Sequence, residues 1–160
     1  MKILITMMSD KQMEAILFPD AAPITVSNFV NNIKHNYYNG KTFHRIINNF
    51  MIQGGSLNGD GTGGVGLPIT GEFVSNGIIN PIGHYRGVLS MARTNDPNSA
   101  DVQFFICHAD CHFLDGNYAA FGVLTSGYDV LDEIATTPTT TTGDFPIEQQ
   151  IIKLIQIVEE

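Results

Sequence analysis

The 160-residue sequence has little positive charge, no tryptophan and no long apolar run. A membrane-spanning helix needs about 18 or more consecutive apolar residues, and no stretch approaches that length, so we expect no membrane association. Eight Lys and Arg stand against sixteen Asp and Glu, which gives a net charge of −8. A field of that sign repels phosphate backbones, so we do not expect a nucleic-acid partner.

Cysteine is equally scarce, with only Cys107 and Cys111. Two cysteines do not make a disulfide framework. The N-terminal segment MKILITMMSD contains an apolar run. That run is shorter than the roughly 7–15 residues of a signal-peptide core. We therefore expect a reducing compartment and a cytoplasmic protein.

Turn residues and hydrophobic residues are plentiful: the chain has sixteen Gly, seven Pro and 43% hydrophobic residues. Its length and hydrophobic content fit one domain over residues 1–160 with a real core. Frequent turns favour β structure over a helix bundle.

The apolar patterning predicts many short strands, expected at 1–8, 12–18, 43–53 (two strands around a turn), 87–92, 102–109 and 119–127. Helical spacing of apolar residues predicts one helix over 22–36, with Pro23 in its first turn, and a second over 128–136. The tail 147–158 alternates as a strand does, although a helix is the alternative there. This order favours a closed antiparallel barrel or a sandwich.

The glycine-rich segment 54–71 contains GxGxxG patterns at Gly59, Gly61 and Gly64 and again two residues later. A dinucleotide site needs that motif to open a helix, because the helix N-terminus holds the pyrophosphate. Val65-Gly66-Leu67-Pro68 follows instead, so we interpret the segment as a long surface loop.

The stretch ICHADCH offers Cys107, His108, Cys111 and His112 as candidate metal ligands. Zinc sites favour paired ligand clusters, and the chain has no second cluster, so we expect no metal and no cofactor. A metal protein built on these four residues remains an alternative. Serines and histidines are scattered, without a GxSxG nucleophile elbow.

Arg45 is the most informative single residue, because it lies between apolar residues of a predicted strand in FHRIINNFMIQGG. Alternation places Phe43, Arg45 and Ile47 on one face. A guanidinium among apolar side chains is costly unless it is paired or faces a pocket. Residue chemistry alone leaves both open: pairing to a core carboxylate, or function.

The same segment resembles the signature of cyclophilins, the cyclosporin-binding class of peptidyl-prolyl cis-trans isomerases. Further segments resemble the family in order and spacing over nearly the whole chain: LFPDAAPITVSNF, GTGG, GVLSMAR, SADVQFFICHA and FLDGNYAAFGVLTSGYDVLDEI. GVLSMAR has the form common among bacterial members. The resemblance implies a mainly β fold, a closed eight-stranded antiparallel β-barrel capped by two α-helices, with its active site on the outer face.

The resemblance also implies residue roles. Arg45 matches the catalytic arginine, with Gln53 and Phe50 beside it in the catalytic set. The substrate-binding positions that match the family are Met51, Ala92, Arg93, Gln103, Phe105, Phe113, Leu114 and Tyr118. His44, next to the arginine, is interpreted as structural support.

Three positions depart from the family pattern, and two of them have expected consequences. Phe113 stands where cyclosporin-sensitive members have Trp, and Phe lacks the indole N–H donor, so we expect weak cyclosporin binding. Arg93 replaces the Asn of many eukaryotic members, which changes side-chain selectivity. Ser56 replaces the usual Asp after the double Gly, away from the expected pocket.

The sequence therefore predicts a prolyl isomerase that accelerates rotation about Xaa-Pro bonds in folding or flexible chains. Its expected partners are proline-containing peptides and unfolded proteins, and the expected state is a monomer. The alternative is a chaperone or scaffold that holds proline-containing segments in the same groove with little turnover.

Overall fold

The computed structural model describes all residues 1–160. Its eight strands are β1 Lys2–Met7, β2 Gln12–Leu17, β3 Phe43–Ile47, β4 Met51–Gly54, β5 Val88–Met91, β6 Phe104–Cys107, β7 Ala120–Ser126 and β8 Ile152–Glu159. The two α-helices are α1 Pro23–Lys34 and α2 Tyr128–Ala135, and single 3₁₀ turns cover Val74–Asn76 and His112–Leu114. The ambiguous tail is thus a strand.

All eight strands belong to one antiparallel sheet in the order β3-β4-β6-β5-β7-β2-β1-β8. The sheet curls until its two outer strands meet, where an isolated bridge joins Thr42 to Ile151 just outside β3 and β8. The predicted eight-stranded antiparallel fold with two helices is confirmed. The two outer strands are joined by this isolated bridge, and no continuous β3–β8 ladder forms between them.

A cluster of 30 buried apolar residues fills the inside of the curled sheet. Phe29 of α1 packs in this cluster against three other aromatic rings, with its ring centroid 5.1 Å from that of Tyr38, 5.2 Å from that of Phe104 and 4.9 Å from that of Phe121. Edge-to-face and tilted aromatic pairs at such spacings add to the free energy of burial. The barrel interior is therefore packed by side chains, so a binding site has to lie on its outer face.

The N-terminus of α1 is capped from a distant part of the chain. Glu72, only 2% exposed, accepts hydrogen bonds from the Thr25 backbone N–H at 2.6 Å and from its hydroxyl at 2.7 Å. Pro23 occupies the first turn, as predicted, and Ala22 provides no side-chain cap. A carboxylate at this end satisfies free N–H groups and complements the helix dipole.

The glycine-rich loop is an ordered connection and does not open a helix. Ser56, which is fully buried, accepts from the Gly61 N–H at 3.1 Å and donates to the Thr62 carbonyl at 2.7 Å. Gly61 has φ of +97°, a conformation that L-residues with a Cβ avoid, and it lies against His44. The loop thereby brings backbone atoms to the outer face beside β3. Neither α-helix has the length and apolarity that crossing a bilayer requires.

Candidate active site

A groove of about 360 Å³ opens on the outer face of the sheet. Most of the residues predicted from the sequence line it: Arg45, Phe50, Met51, Gln53, Ala92, Arg93, Phe105, Leu114 and Tyr118. Two predicted residues, Gln103 and Phe113, lie outside the lining. The chain thus brings together in space residues from four separate sequence segments.

Strand register explains how the polar and apolar sides of the groove meet. Arg45 on β3 lies opposite Gln53 on β4, and Gln53 lies opposite Phe105 on β6. Residues directly opposite each other on antiparallel strands share a face, so these three project from the same outer face. Arg45 is therefore separated by one strand, β4, from Phe105. We call Phe105 and its apolar neighbours in the groove, Phe50, Met51 and Leu114, the apolar wall. The prediction that Phe43 shares this face with Arg45 is wrong, because the register shifts between the two residues and Phe43 packs in the barrel core.

The apolar wall of the groove rests on a second buried cluster, separate from the barrel core: Met51, Val88, Phe105, Cys107, Cys111 and Ala120. Phe105 is only 5% exposed, and its ring lies 6.0 Å from that of Tyr118 in an edge-to-face arrangement. Leu114 and Phe50 pack against the same cluster. Close packing against this buried cluster holds the side chains of Phe50, Phe105 and Leu114 in place, as a pocket for a small rigid ring requires.

Three polar side chains form a relay along one edge of the groove. Arg45 donates to Gln53 Oε1 at 3.4 Å, Gln53 Nε2 donates to Gln103 Oε1 at 3.0 Å, and Gln103 Nε2 donates to the Gly61 carbonyl at 2.8 Å. Gln103 therefore acts from behind Gln53. Arg45 forms no ion pair, whereas Arg86 pairs with Asp132 at 2.7 Å. Of the two readings of Arg45, the geometry favours a guanidinium that faces a pocket.

Comparisons with known proteins agree with this geometry. Residues 2–157 match the family described as cyclophilin type peptidyl-prolyl cis-trans isomerase. The chain belongs to the cyclophilin family. It is a peptidyl-prolyl cis-trans isomerase, as the sequence predicted.

Individual relatives show the same likeness. An Acinetobacter baylyi peptidyl-prolyl cis-trans isomerase is 44% identical over 151 residues, which cover 90% of this chain and 78% of that protein. Isomerase B of Escherichia coli is 38% identical over 153 residues, covering 89% and 91%. A crystal structure of a Cryptosporidium parvum cyclophilin, determined in the presence of the dipeptide Ala-Pro, superposes with a TM-score of 0.90 at 30% identity and covers 100% of both chains.

Arg93 of this cyclophilin is fixed at the groove rim, although it has no carboxylate partner. Its guanidinium lies 4.9 Å from the Phe73 ring centroid and 4.7 Å from that of Tyr118. It also donates to the Asn117 carbonyl at 2.7 Å and to the Thr94 carbonyl at 2.8 Å. Ring stacking combined with donation to two separate carbonyls suits the planar arginine side chain, and lysine would not reproduce this combination.

Phe113 is one of the two predicted residues that lie outside the groove lining. Its side chain is 72% exposed, and its ring centroid is 5.5 Å from that of Phe50. Phe113 therefore extends the apolar wall at the rim without lining the groove.

Five lining residues were absent from the predicted set: His44, Asp60, Gly61, Gly143 and Phe145. Burial, followed by the charge of Arg45, lowers the pKa of His44 below its ordinary 6.5. In the sequence, the only indication that His44 lies at the groove is its position next to Arg45. Phe145 follows a threonine-rich loop, and no sequence pattern indicates that this loop reaches the groove.

The two histidines of the alternative metal site are bonded to different carboxylates, while the two cysteines lie together in a buried apolar cluster. His108 bonds to Asp132 at 2.9 Å, and His112 bonds to Asp115 at 2.9 Å. Cys111 donates to backbone carbonyls, and burial raises the pKa of the Cys107 thiol. No group of three or more His, Cys, Asp or Glu side chains in residues 1–160 is arranged so that it could hold a metal ion.

Proposed function

We propose that the groove binds proline-containing peptide segments and unfolded chains, and that Arg45 is the catalytic residue of the isomerisation. The observation that carries the proposal is the unpaired guanidinium of Arg45 beside an apolar wall in the same groove. The further parts of the proposal are a single domain over residues 1–160, a monomer, a cytoplasmic location and weak cyclosporin binding.

The chemistry explains why arginine suits this position. Rotation about an Xaa-Pro bond has a barrier of about 18–20 kcal/mol, which is the loss of amide resonance. In the twisted transition state the proline nitrogen becomes pyramidal and gains a basic lone pair. The Arg45 N–H donor forms a stronger hydrogen bond with this lone pair than with the nitrogen of the planar amide. The hydrogen bond therefore stabilises the transition state more than the ground state. Arginine stays protonated and presents its donors in a rigid fork.

The apolar wall supplies the second part of the mechanism. Phe50, Met51, Phe105 and Leu114 hold the pyrrolidine ring while the preceding acyl group turns. They also exclude water, which strengthens the interaction with Arg45. A rate acceleration of about 10⁵ requires the activation free energy to fall by roughly 7 kcal/mol. One charge-assisted hydrogen bond contributes only about 1.5–3 kcal/mol of this. Desolvation and further preferential binding of the twisted form therefore contribute the remainder.

The other predicted residues serve as supports and backbone partners. Gln53 and Gln103 orient Arg45 through the relay of amide hydrogen bonds. The backbone at Ala92 and Arg93 pairs with the bound peptide, and Tyr118 closes the groove beside Phe105.

The test is exchange NMR on a short Ala-Pro peptide with wild type, Arg45→Ala and Arg45→Lys. We expect wild type to accelerate cis/trans exchange and Arg45→Ala to lose most of that rate while still binding the peptide. Lysine keeps the charge without the fork, so Arg45→Lys should recover only part of the rate.

Arg86→Lys is the matched control, because Arg86 bonds to Asp132 and the His108 carbonyl and lies outside the groove lining. It should retain the wild-type rate. A wild-type protein that binds the peptide without accelerating exchange would be a proline-binding chaperone or scaffold, and the proposed mechanism would be wrong. Full activity in Arg45→Ala would exclude the role of this residue.

A further inference from the structure

His84 forms a hydrogen-bonded chain behind the groove that no sequence pattern indicates. Its Nε2 lies 2.8 Å from Ser90 Oγ, and its Nδ1 lies 2.9 Å from Asp115 Oδ1. The His84 backbone N–H donates to the same carboxylate oxygen at 2.6 Å. His84 itself lies in the irregular segment between the 3₁₀ turn Val74–Asn76 and β5.

The hydrogen-bond partners fix the tautomer of His84. Asp115 is an acceptor, so Nδ1 carries the proton and donates to it. Nε2 then presents a lone pair and accepts from the Ser90 hydroxyl. A Ser–His–Asp order of this kind is a nucleophile arrangement when the serine is open to substrate. Here Ser90 and His84 are both 0% exposed, so no substrate reaches the hydroxyl.

The His84 imidazole instead contacts the back of the apolar wall. Its ring is nearly parallel to that of Phe105, at 19° with centroids 6.0 Å apart, and stands edge-on to Tyr118 at 6.5 Å. Asp115 directly follows Leu114, which lines the groove. One buried side chain therefore connects strand β5, the ring on β6 and the turn that carries Leu114.

We propose that His84 is a positioning residue of the isomerase, which sets Phe105 and Leu114 at a fixed separation by bridging Ser90 and Asp115. The proposal rests on the proposed function, since it assumes that these two side chains hold the proline ring. His84 does not line the groove, so it acts only through them.

A fixed separation affects the rate because the ring must stay still while the acyl group turns. A misplacement of about 1 Å in a positioned group lowers rates by up to about 100-fold. Loss of the bridge lets the Leu114 turn move relative to Phe105. We expect kcat to fall about tenfold with KM within about twofold, since the apolar surface for binding is still present.

The experiment compares two variants that break the bridge. His84→Phe keeps an aromatic face against Phe105 and removes both side-chain hydrogen bonds. Asp115→Ala keeps the imidazole and removes the acceptor at a side chain that is already 37% exposed, so it keeps the test open if His84→Phe does not fold. Both should lower kcat for the Ala-Pro peptide about tenfold, measured per folded molecule.

Three matched controls separate positioning from stability. Asp115→Asn retains an oxygen acceptor for His84 and should restore at least half of the wild-type kcat. His112→Ala removes only the other bond of Asp115, at a side chain that is 60% exposed, and should keep the wild-type kcat. Ile155→Val weakens the barrel core on β8 and should lower the melting temperature without changing kcat.

Each result has one meaning when Arg45→Ala is measured in the same assay. Wild-type kcat in the folded bridge-breaking variants, with Arg45→Ala inactive, overturns the role of His84 and leaves the proposed function intact. Equal losses in Asp115→Asn and Asp115→Ala also overturn it. Full activity in Arg45→Ala overturns the proposed mechanism, while reduced kcat in His84→Phe would still support positioning.

Discussion

Gln53 lies directly opposite Arg45 across the β3–β4 ladder, and its side-chain oxygen accepts from the guanidinium at 3.4 Å. The amide is neutral, so it orients the arginine without neutralising it. Its nitrogen is held in turn by Gln103 at 3.0 Å. This pairing leaves the charge of Arg45 available to a bound peptide.

Replacing Gln53 by Glu tests whether that neutrality matters. A carboxylate in this position would form a charge-assisted pair with Arg45 and compete with the peptide nitrogen for its donors. Such pairs contribute about 1.5–3 kcal/mol, so kcat/KM for Gln53→Glu should fall about tenfold or more below that of Gln53→Ala. Exchange NMR at pH 7 measures both variants. A Glu variant as active as the Ala variant would contradict the role assigned to the free charge.

Phe113→Trp should tighten cyclosporin binding. The indole adds an N–H donor at an exposed position on the groove rim, and a hydrogen bond contributes about 0.5–1.5 kcal/mol. The inhibition constant should therefore fall by up to about tenfold. Phe113→Leu is the control, because it changes apolar area without adding a donor. If both variants bind cyclosporin equally, the missing donor does not explain weak binding.

Glu72 should contribute to stability through the cap of α1. Glu72→Ala leaves the Thr25 N–H and hydroxyl buried without an acceptor, and an unsatisfied buried group costs about 1–3 kcal/mol. We expect the free energy of unfolding in urea to fall by about 2–3 kcal/mol. Glu72→Gln keeps an acceptor and loses only the charge, so it should cost about 1 kcal/mol. Glu148→Gln, at an exposed site, should cost nothing measurable; equal stability of all three variants would rule out the cap.

Stability should fall as the pH drops below neutrality, because two histidines are buried. Burial lowers the pKa of His44 and of His84 below 6.5; Arg45 lowers the first further, and Asp115 partly offsets the second. Below pH 6.5 the unfolded chain binds protons that the folded chain does not, so the free energy of unfolding decreases. Urea unfolding at pH 7 and pH 5.5 measures the change.

A second loss should follow at lower pH from Asp132. The hydrogen bond from Arg86 lowers the pKa of this carboxyl below 3.8, so its contribution is present above that pH and lost as the pH falls through the folded pKa. Arg86→Ala should reduce the acid step and leave the step below pH 6.5. An unchanged acid step in Arg86→Ala would show that the pair does not set it.

The order of the strands and helices, and most of the residues that line the groove, could be predicted from the amino-acid sequence. Period-two alternation predicts strands, and 3.6-residue spacing predicts the two helices, because a half-buried element displays its apolar face in local sequence. Arg45 is also informative locally, because a guanidinium among apolar neighbours is costly unless it is paired or faces a pocket. The family resemblance then predicted which residues line the groove, and the structure brings nearly all of them together.

Tertiary structure alone decided the long-range partners. Glu72 caps a helix that begins far earlier in the chain, Phe145 reaches the groove from a loop, and His84 meets Ser90 and Asp115 behind it. None of these pairings has a local signature, because hydrogen bonds between distant residues depend on where the curled sheet places its loops. Local sequence determines each element and its buried face, whereas only the closed fold sets which side chains meet.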